Sequence, residues 1–154
     1  MESLEESFRI SVFQEIKPDG LIENLNKNLP KGLTVTACTL VSKKSGKQNE
    51  KTVSSYDVGL HHHVFNEKAL AGFLNAQTCI VSKATRKGGL KKIDLKDIIL
   101  KIELVTKDKL ALQVLEEPGR TLRPPDIIKH IFDIPDAELK QLRVVKTSSS
   151  IKTG

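Results

Sequence analysis

The segment from Lys91 to Lys146 (KKIDLKDIILKIELVTKDKLALQVLEEPGRTLRPPDIIKHIFDIPDAELKQLRVVK) restricts the fold more than any other part of the chain. Leu100, Ile102 and Leu104 alternate along one strand face, and Leu110, Leu112 and Val114 along another. For these faces to meet across a hairpin, residue 104 must pair with 110 and 102 with 112. That register needs an odd loop, most simply Thr106-Lys107-Asp108. A two-residue loop would set Leu104 against Ala111 and turn one apolar face outward. Upstream, Asp94 is placed to cap a brief helical turn through Asp97. Downstream, Glu117-Pro118-Gly119-Arg120 ends the second strand, and Arg123-Pro124-Pro125-Asp126 opens a helix with Ile127, Ile128, Ile131 and Phe132 inward. Pro135 closes it. Leu142–Thr147 reads as a last strand, and Ser148–Gly154 as a disordered polar tail.

The first ninety residues repeat this alternation less densely. Phe8, Ile10 and Val12 share one face of an expected strand. Leu21, Ile22, Leu25 and Leu29 recur at helical spacing after Pro18, and Pro30 and Gly32 stop that helix. Leu33–Val41 is rich in β-branched residues, so Phe8–Val41 reads as a parallel β-α-β unit. The polar loop Ser42–Thr52 carries Gly46 and four lysines. Val53–Phe65 alternates as one long strand, with Tyr56, Val58, Leu60, His62 and Val64 on the apolar face and Asp57, His61, His63 and Phe65 opposite. Asn66 is placed to cap a helix over Glu67–Asn75, and Gln77–Ala84 returns as a strand.

The order is β-α-β followed by β-α-β-β-β-α-β, which predicts an α+β fold. Ferredoxin-like halves are expected, with mostly antiparallel sheets and helices packed on one face. Residues 1–47 form an incomplete N-terminal β-α-β half, 48–147 a ferredoxin-like half and 148–154 the tail.

Two clusters carry chemical potential. Lys83, Arg86, Lys87, Lys91 and Lys92 supply five bases and no acid around a Gly-Gly turn, a pattern that can let a backbone approach phosphate. They form the candidate nucleic-acid surface. No GxxxxGK[ST] motif is present. On the expected strand, His61 and His63 project together with Asp57 on the same face, a candidate metal group; His62 faces the apolar side as a core histidine. No nucleophile has a base beside it, and no paired carboxylates share an inward face. A non-catalytic module without a cofactor is therefore expected, with an enzyme built on the histidine cluster as the alternative.

Composition narrows this further. A hydrophobic content of 38% supports a core, while 4% aromatics and no Trp make that core aliphatic. Any RNA binding must then rest on phosphate contacts, because few aromatic side chains remain for base stacking. The net charge of +6 permits an acidic partner. Cys38 and Cys79 lie far apart without a CxxC and read as small core thiols. No apolar run approaches the roughly 20 residues that span a bilayer, and the opening is acidic where a signal peptide is basic. A cytoplasmic protein is expected.

The run KKIDLKDII, a hairpin, RTLRPPDIIKHIF and LRVVKT resembles the C-terminal part of the domain-of-unknown-function family linked to radical SAM proteins, and LIENLNKNLPKGLTV fits that family's helix-Pro-Gly-strand pattern. The resemblance covers most of Phe8–Thr147. It implies a protein encoded beside, or fused to, a radical SAM enzyme, which becomes a candidate partner. It also implies a further N-terminal segment, with a histidine-containing helix and a loop rich in Gly, Asn, Pro and His, that this sequence does not contain. It assigns no reaction and no catalytic residue. A third expectation is protein interaction alone, through a sheet edge that such a segment would otherwise cover.

Overall fold

The pairing of 104 with 110 and 102 with 112 is the one the chain adopts. Ile99 and not Leu100 pairs with Val114, however, and Leu100 is exposed. The turn is the two residues Lys107-Asp108, because Thr106 pairs with Lys109. The computed structural model of the protein describes residues 2–4, 6–40, 51–85 and 87–152. It divides into two compact units, Met1–Ser7 with Asn49–Gly154, and Phe8–Gln48.

The larger unit contains β1 (Glu2–Ser3), β2 (Lys51–Gly59), α2 (Glu67–Asn75), β3 (Ile80–Ala84), β4 (Leu90–Asp94), α3 (Leu95–Ile98), β5 (Ile99–Thr106), β6 (Lys109–Glu116), α4 (Pro124–Phe132), α5 (Asp136–Leu139) and β7 (Arg143–Lys152); α1 (Pro18–Asn28) belongs to the smaller unit. In the β5–β6 hairpin Leu104 pairs with Leu110 and Ile102 with Leu112, and a register shift between Leu104 and Thr106 absorbs the odd residue. The main sheet has the order β1-β7-β2-β6-β5. Its strands are antiparallel to their neighbours except β1, which runs parallel to β7. Thus β6 lies between β2 and β5, and β2 between β6 and β7, so two β-α-β units interleave. The fold is α+β.

One sheet face and the helices share a single core. Tyr56 and Val58 of β2, Leu110, Leu112 and Val114 of β6, and Val144 of β7 pack with Leu70 and Phe73 of α2 and Ile127, Ile128, Ile131 and Phe132 of α4. This inward set is aliphatic apart from the rings of Tyr56, Phe73 and Phe132. The opposite face carries Asp57, Lys101 and Glu103 in the open, and among the described residues none of its side chains is aromatic.

Local chemistry fixes the elements. The Asn66 side chain accepts from the Lys68 and Ala69 amides and starts α2. Asp94 accepts from Cys79 N at 2.8 Å and Lys96 N at 3.0 Å, so one carboxylate caps α3 and ties it to the chain entering β3. Those bonds hold the Asp94 carboxyl below the usual carboxylate range. At α4, Pro124 occupies the first turn, where a missing N–H leaves nothing unsatisfied, and Arg123 grips Asp126 through two bonds of 2.9 and 3.1 Å.

Four expectations need correction. First, β2 ends at Gly59 and does not run to Phe65. His62 sits at φ 65°, a left-handed backbone that no ladder accommodates. The loop beyond Gly59 is instead clipped to the β5–β6 turn by Leu60 N–Asp108 O at 2.9 Å and Phe65 N–Lys107 O at 2.8 Å. Alternation therefore fails past Leu60: Phe65 is 3% exposed and packs 4.9 Å from the Phe132 ring, while His62 is exposed. Second, Leu90–Asp94 is a full strand paired with β3. Third, the expected tail from Ser148 continues in β7 to Lys152, because Ser148–Lys152 finds partners along Lys51–Ser55 after a bulge.

The fourth correction concerns the smaller unit. Its helix forms as expected, but Phe8–Phe13 and Leu33–Leu40 belong to no strand. A helix closes its hydrogen bonds within itself, whereas a strand needs a neighbour. Here Asn26 of α1 ties the second segment, accepting from Val35 N at 2.7 Å and donating to Val35 O at 3.0 Å. The loop expected over Ser42–Thr52 lies outside the described residues up to position 50; Lys51 and Thr52 begin β2.

Candidate interaction site

Among the described residues, the bases of the candidate nucleic-acid surface do not all share one face of the β3–β4 hairpin. Arg86 lies outside the described residues. The β3–β4 register pairs Lys83 with Lys91 and Ser82 with Lys92, so Lys92 projects from the opposite pleat to Lys83 and Lys91. Lys83 Nζ donates to Thr121 O at 2.5 Å and Lys91 Nζ to Gly119 O at 2.8 Å. These two ammoniums clasp the hairpin onto the turn after β6, where Gly119 adopts φ 77°. Lys87 is exposed on the hairpin turn.

The clasp gathers cations that spacing alone did not single out. Lys51, at the start of β2, lies 2.6 Å from Glu117, and Arg120 lies 3.7 Å from the same carboxylate. Lys51 first, and Arg120 after it, hold the Glu117 carboxyl below its ordinary range. Arg123 sits two residues beyond Thr121. Lys51, Lys83, Lys91, Arg120 and Arg123 thus collect around Glu117–Arg123, against the carboxylates of Glu117 and Asp126. The Arg123–Asp126 spacing was readable on a helix, but ties from side chain to distant carbonyl leave no mark in sequence.

The histidines are arranged differently from the expectation. The His61 and His62 rings lie 4.1 Å apart, and His63 Nδ1 lies 3.9 Å from Glu138 Oε2. Asp57 remains in the ladder, opposite Ala111 and Val145. Among the described residues no group of three or more His, Cys, Asp and Glu side chains could hold a metal ion, so Asp57, His61 and His63 do not form the expected trio. The phenol of Tyr56 donates to Glu116 at 2.6 Å, and burial, then this bond, raise its pKa.

In the smaller unit the apolar stripes are open. Phe8 is 65% exposed, Leu33 62% and Leu40 70%, Phe13 is fully exposed, and no residue of α1 is buried. The expected burial of Phe8 is therefore not met.

A family model described as "Uncharacterized protein conserved in bacteria" (DUF2344) matches residues 1–124. The chain belongs to this family. The match takes in β1, the smaller unit, the β3–β4 hairpin and β6, and ends at the first residue of α4, so both the open stripes and the basic clasp lie within the DUF2344 region. No curated protein and no solved structure matches the chain. Among the described residues no helix is long and apolar enough to cross a membrane.

Proposed function

We propose that this DUF2344 chain is a non-catalytic binding module whose main partner is a protein, docking on residues 8–40. The observation that carries this is the exposure of Phe8, Ile10, Val12, Phe13, Leu33 and Leu40 in one short stretch, beside a helix that buries nothing. Exposed apolar surface, where contiguous, marks protein interaction sites. The pattern is that of a half-domain, with one helix and two strand-forming segments that lack strand neighbours. Phe8–Gln48 is then the incomplete half, and Met1–Ser7 with Asn49–Gly154 the ferredoxin-like half; the strand order β7-β2-β6-β5 fits this reading. The resemblance to radical-SAM-linked proteins supports a radical SAM enzyme as the partner, with the cytoplasm as the compartment.

The test is analytical ultracentrifugation of the chain mixed with the radical SAM protein encoded beside it. A complex that forms with the native chain and is lost in Phe8→Asp/Phe13→Asp is the expected result. Absence of a complex, or one indifferent to those changes, contradicts the reading.

RNA is a second reading, favoured by the cations collected around Glu117–Arg123. The sheet's open face offers no aromatic platform, so binding would rest on phosphate contacts and fall steeply with salt. Anisotropy of labelled tRNA over a salt series tests it. The reading predicts salt-sensitive binding that is lost when Lys83, Lys87, Lys91 and Lys92 become Glu. No binding at low salt removes it.

A further inference from the structure

The β3–β4 hairpin stands apart from the main sheet. β3 has one strand partner, β4, and among the described residues no strand on its other side. That open flank faces α4 across a groove of about 540 Å³, within the range of sites that hold a ligand or short segment. Four consecutive residues of β3, Val81 to Ala84, line it. Successive strand residues point to opposite faces. A groove touched by all four therefore runs along the edge of the strand, where backbone N–H and C=O groups point outward, and not against one face. Leu122 adds apolar surface, and the far wall is the polar side of α4, with Asp126, Lys129, His130 and Asp133.

The charges of the groove are unevenly matched. Asp126 is held by Arg123 through two bonds, and Lys129 is paired with Asp136. Lys83 has no carboxylate partner: its ammonium donates to the Thr121 carbonyl. Lys91, next to it on the same pleat, likewise donates to the Gly119 carbonyl. Asp133, the remaining carboxylate of the lining, acts on Lys129, so among the described residues the positive charge at Lys83 is the one no carboxylate of the groove pairs with.

We infer that the β3 edge and α4 form a peptide-recognition groove, whose occupant is an extended, acidic segment of a partner protein added as a third strand beside β3. Main-chain hydrogen bonds to β3 provide the attachment, as in strand addition to other sheet edges. On the pleat shared by Val81 and Lys83 the segment turns acidic side chains toward the Lys83 ammonium, and on the opposite pleat small apolar side chains lie against Ala84. This surface is distinct from residues 8–40 and does not depend on the docking proposed there.

The probe is a fluorescein-labelled peptide, Thr-Val-Glu-Val-Glu-Val-Thr, measured by anisotropy against the full chain. Two controls accompany it: the same peptide with Lys for Glu, and one with Pro at the central Val. The acidic peptide should bind, the Lys peptide at least tenfold more weakly, and the Pro peptide not measurably. On the protein side Lys83→Glu should weaken binding at least tenfold. Because that change also cuts the clasp on Thr121, His130→Glu serves as the second variant: it lies on the exposed side of α4, leaves the hairpin intact, and should weaken binding several-fold. Amide exchange should slow in residues 80–84 when peptide is present. Equal binding of the acidic and basic peptides, indifference to His130→Glu, binding of the Pro peptide, or no binding of the acidic peptide would each overturn the proposal. So would oligonucleotide binding at this groove with none by peptide.

Discussion

The two units of this chain begin from similar sequence patterns and end differently. In the larger unit the apolar faces of β2, β6, β7, α2 and α4 meet in one core. Ile127 and Ile128 are completely buried, and Val58, Leu110 and Val114 are 1% exposed. In residues 8–48 an amphipathic helix and two alternating segments are equally legible, yet among the described residues no side chain is buried. The larger unit contains both members of every strand pair its pattern calls for. The smaller contains the helix, which is self-sufficient in hydrogen bonds, and strand segments without neighbours. Pattern specifies which face turns inward, but only a partner surface makes an inside.

The comparison breaks most visibly if equivalent truncations have equal effects. Ile127→Ala should destabilise the larger unit by about 3 kcal/mol, within the range for large-to-small changes in a close-packed core, and lower the urea midpoint accordingly. Leu25→Ala in α1 should leave that midpoint unchanged. A similar loss from both would show the smaller unit sharing the cooperative core.

A smaller effect is expected at Tyr56. Tyr56→Phe removes the bond to Glu116 and should cost about 1.5 kcal/mol, the low end for a bond to a charged group, because Glu116 keeps contact with water. Its pH dependence has a definite sign. The folded state raises the Tyr56 pKa, by burial first and the Glu116 bond second. The unfolded phenol titrates near 10. The contribution is therefore fully present below about pH 10 and declines as pH rises from there toward the folded value. Denaturation followed from pH 8 to 11 should show that decline in the native chain and a shallower one in Tyr56→Phe.

Smallest of all should be Asn26→Ala. It releases both bonds to the Val35 backbone, so Leu33–Leu40 loses this tie to α1. Global stability should not change. Amide exchange at Val35 should rise to the rate of an unstructured chain, and a change in the main unfolding transition would place this segment in the core unit.

The sequence supported more of the larger unit than of the smaller. The β5–β6 register followed from which faces had to meet, α2 from its Asn66 cap, and α4 from two prolines and four inward apolar side chains. The misreadings share one cause, reliance on alternation where tertiary contacts decide. His61–Phe65 alternates on paper, but the left-handed turn at His62 and the two clips to Lys107 and Asp108 carry it off the sheet. Ser148–Lys152 looked like a tail because serines carry no apolar signal, although β2 offers them backbone partners. The basic cluster was visible as a run of charge. Its division by the pleat, and the use of Lys83 and Lys91 as clasps on distant carbonyls, depend on where the Glu117–Thr121 turn arrives.

If another surface completes residues 8–40, hydrogen exchange on the chain alone should show it. Strong protection is expected in β2, β6 and α4, and exchange close to the unstructured rate in Phe8–Phe13 and Leu33–Leu40. Protection of those two segments comparable to β2 in the isolated chain would contradict it.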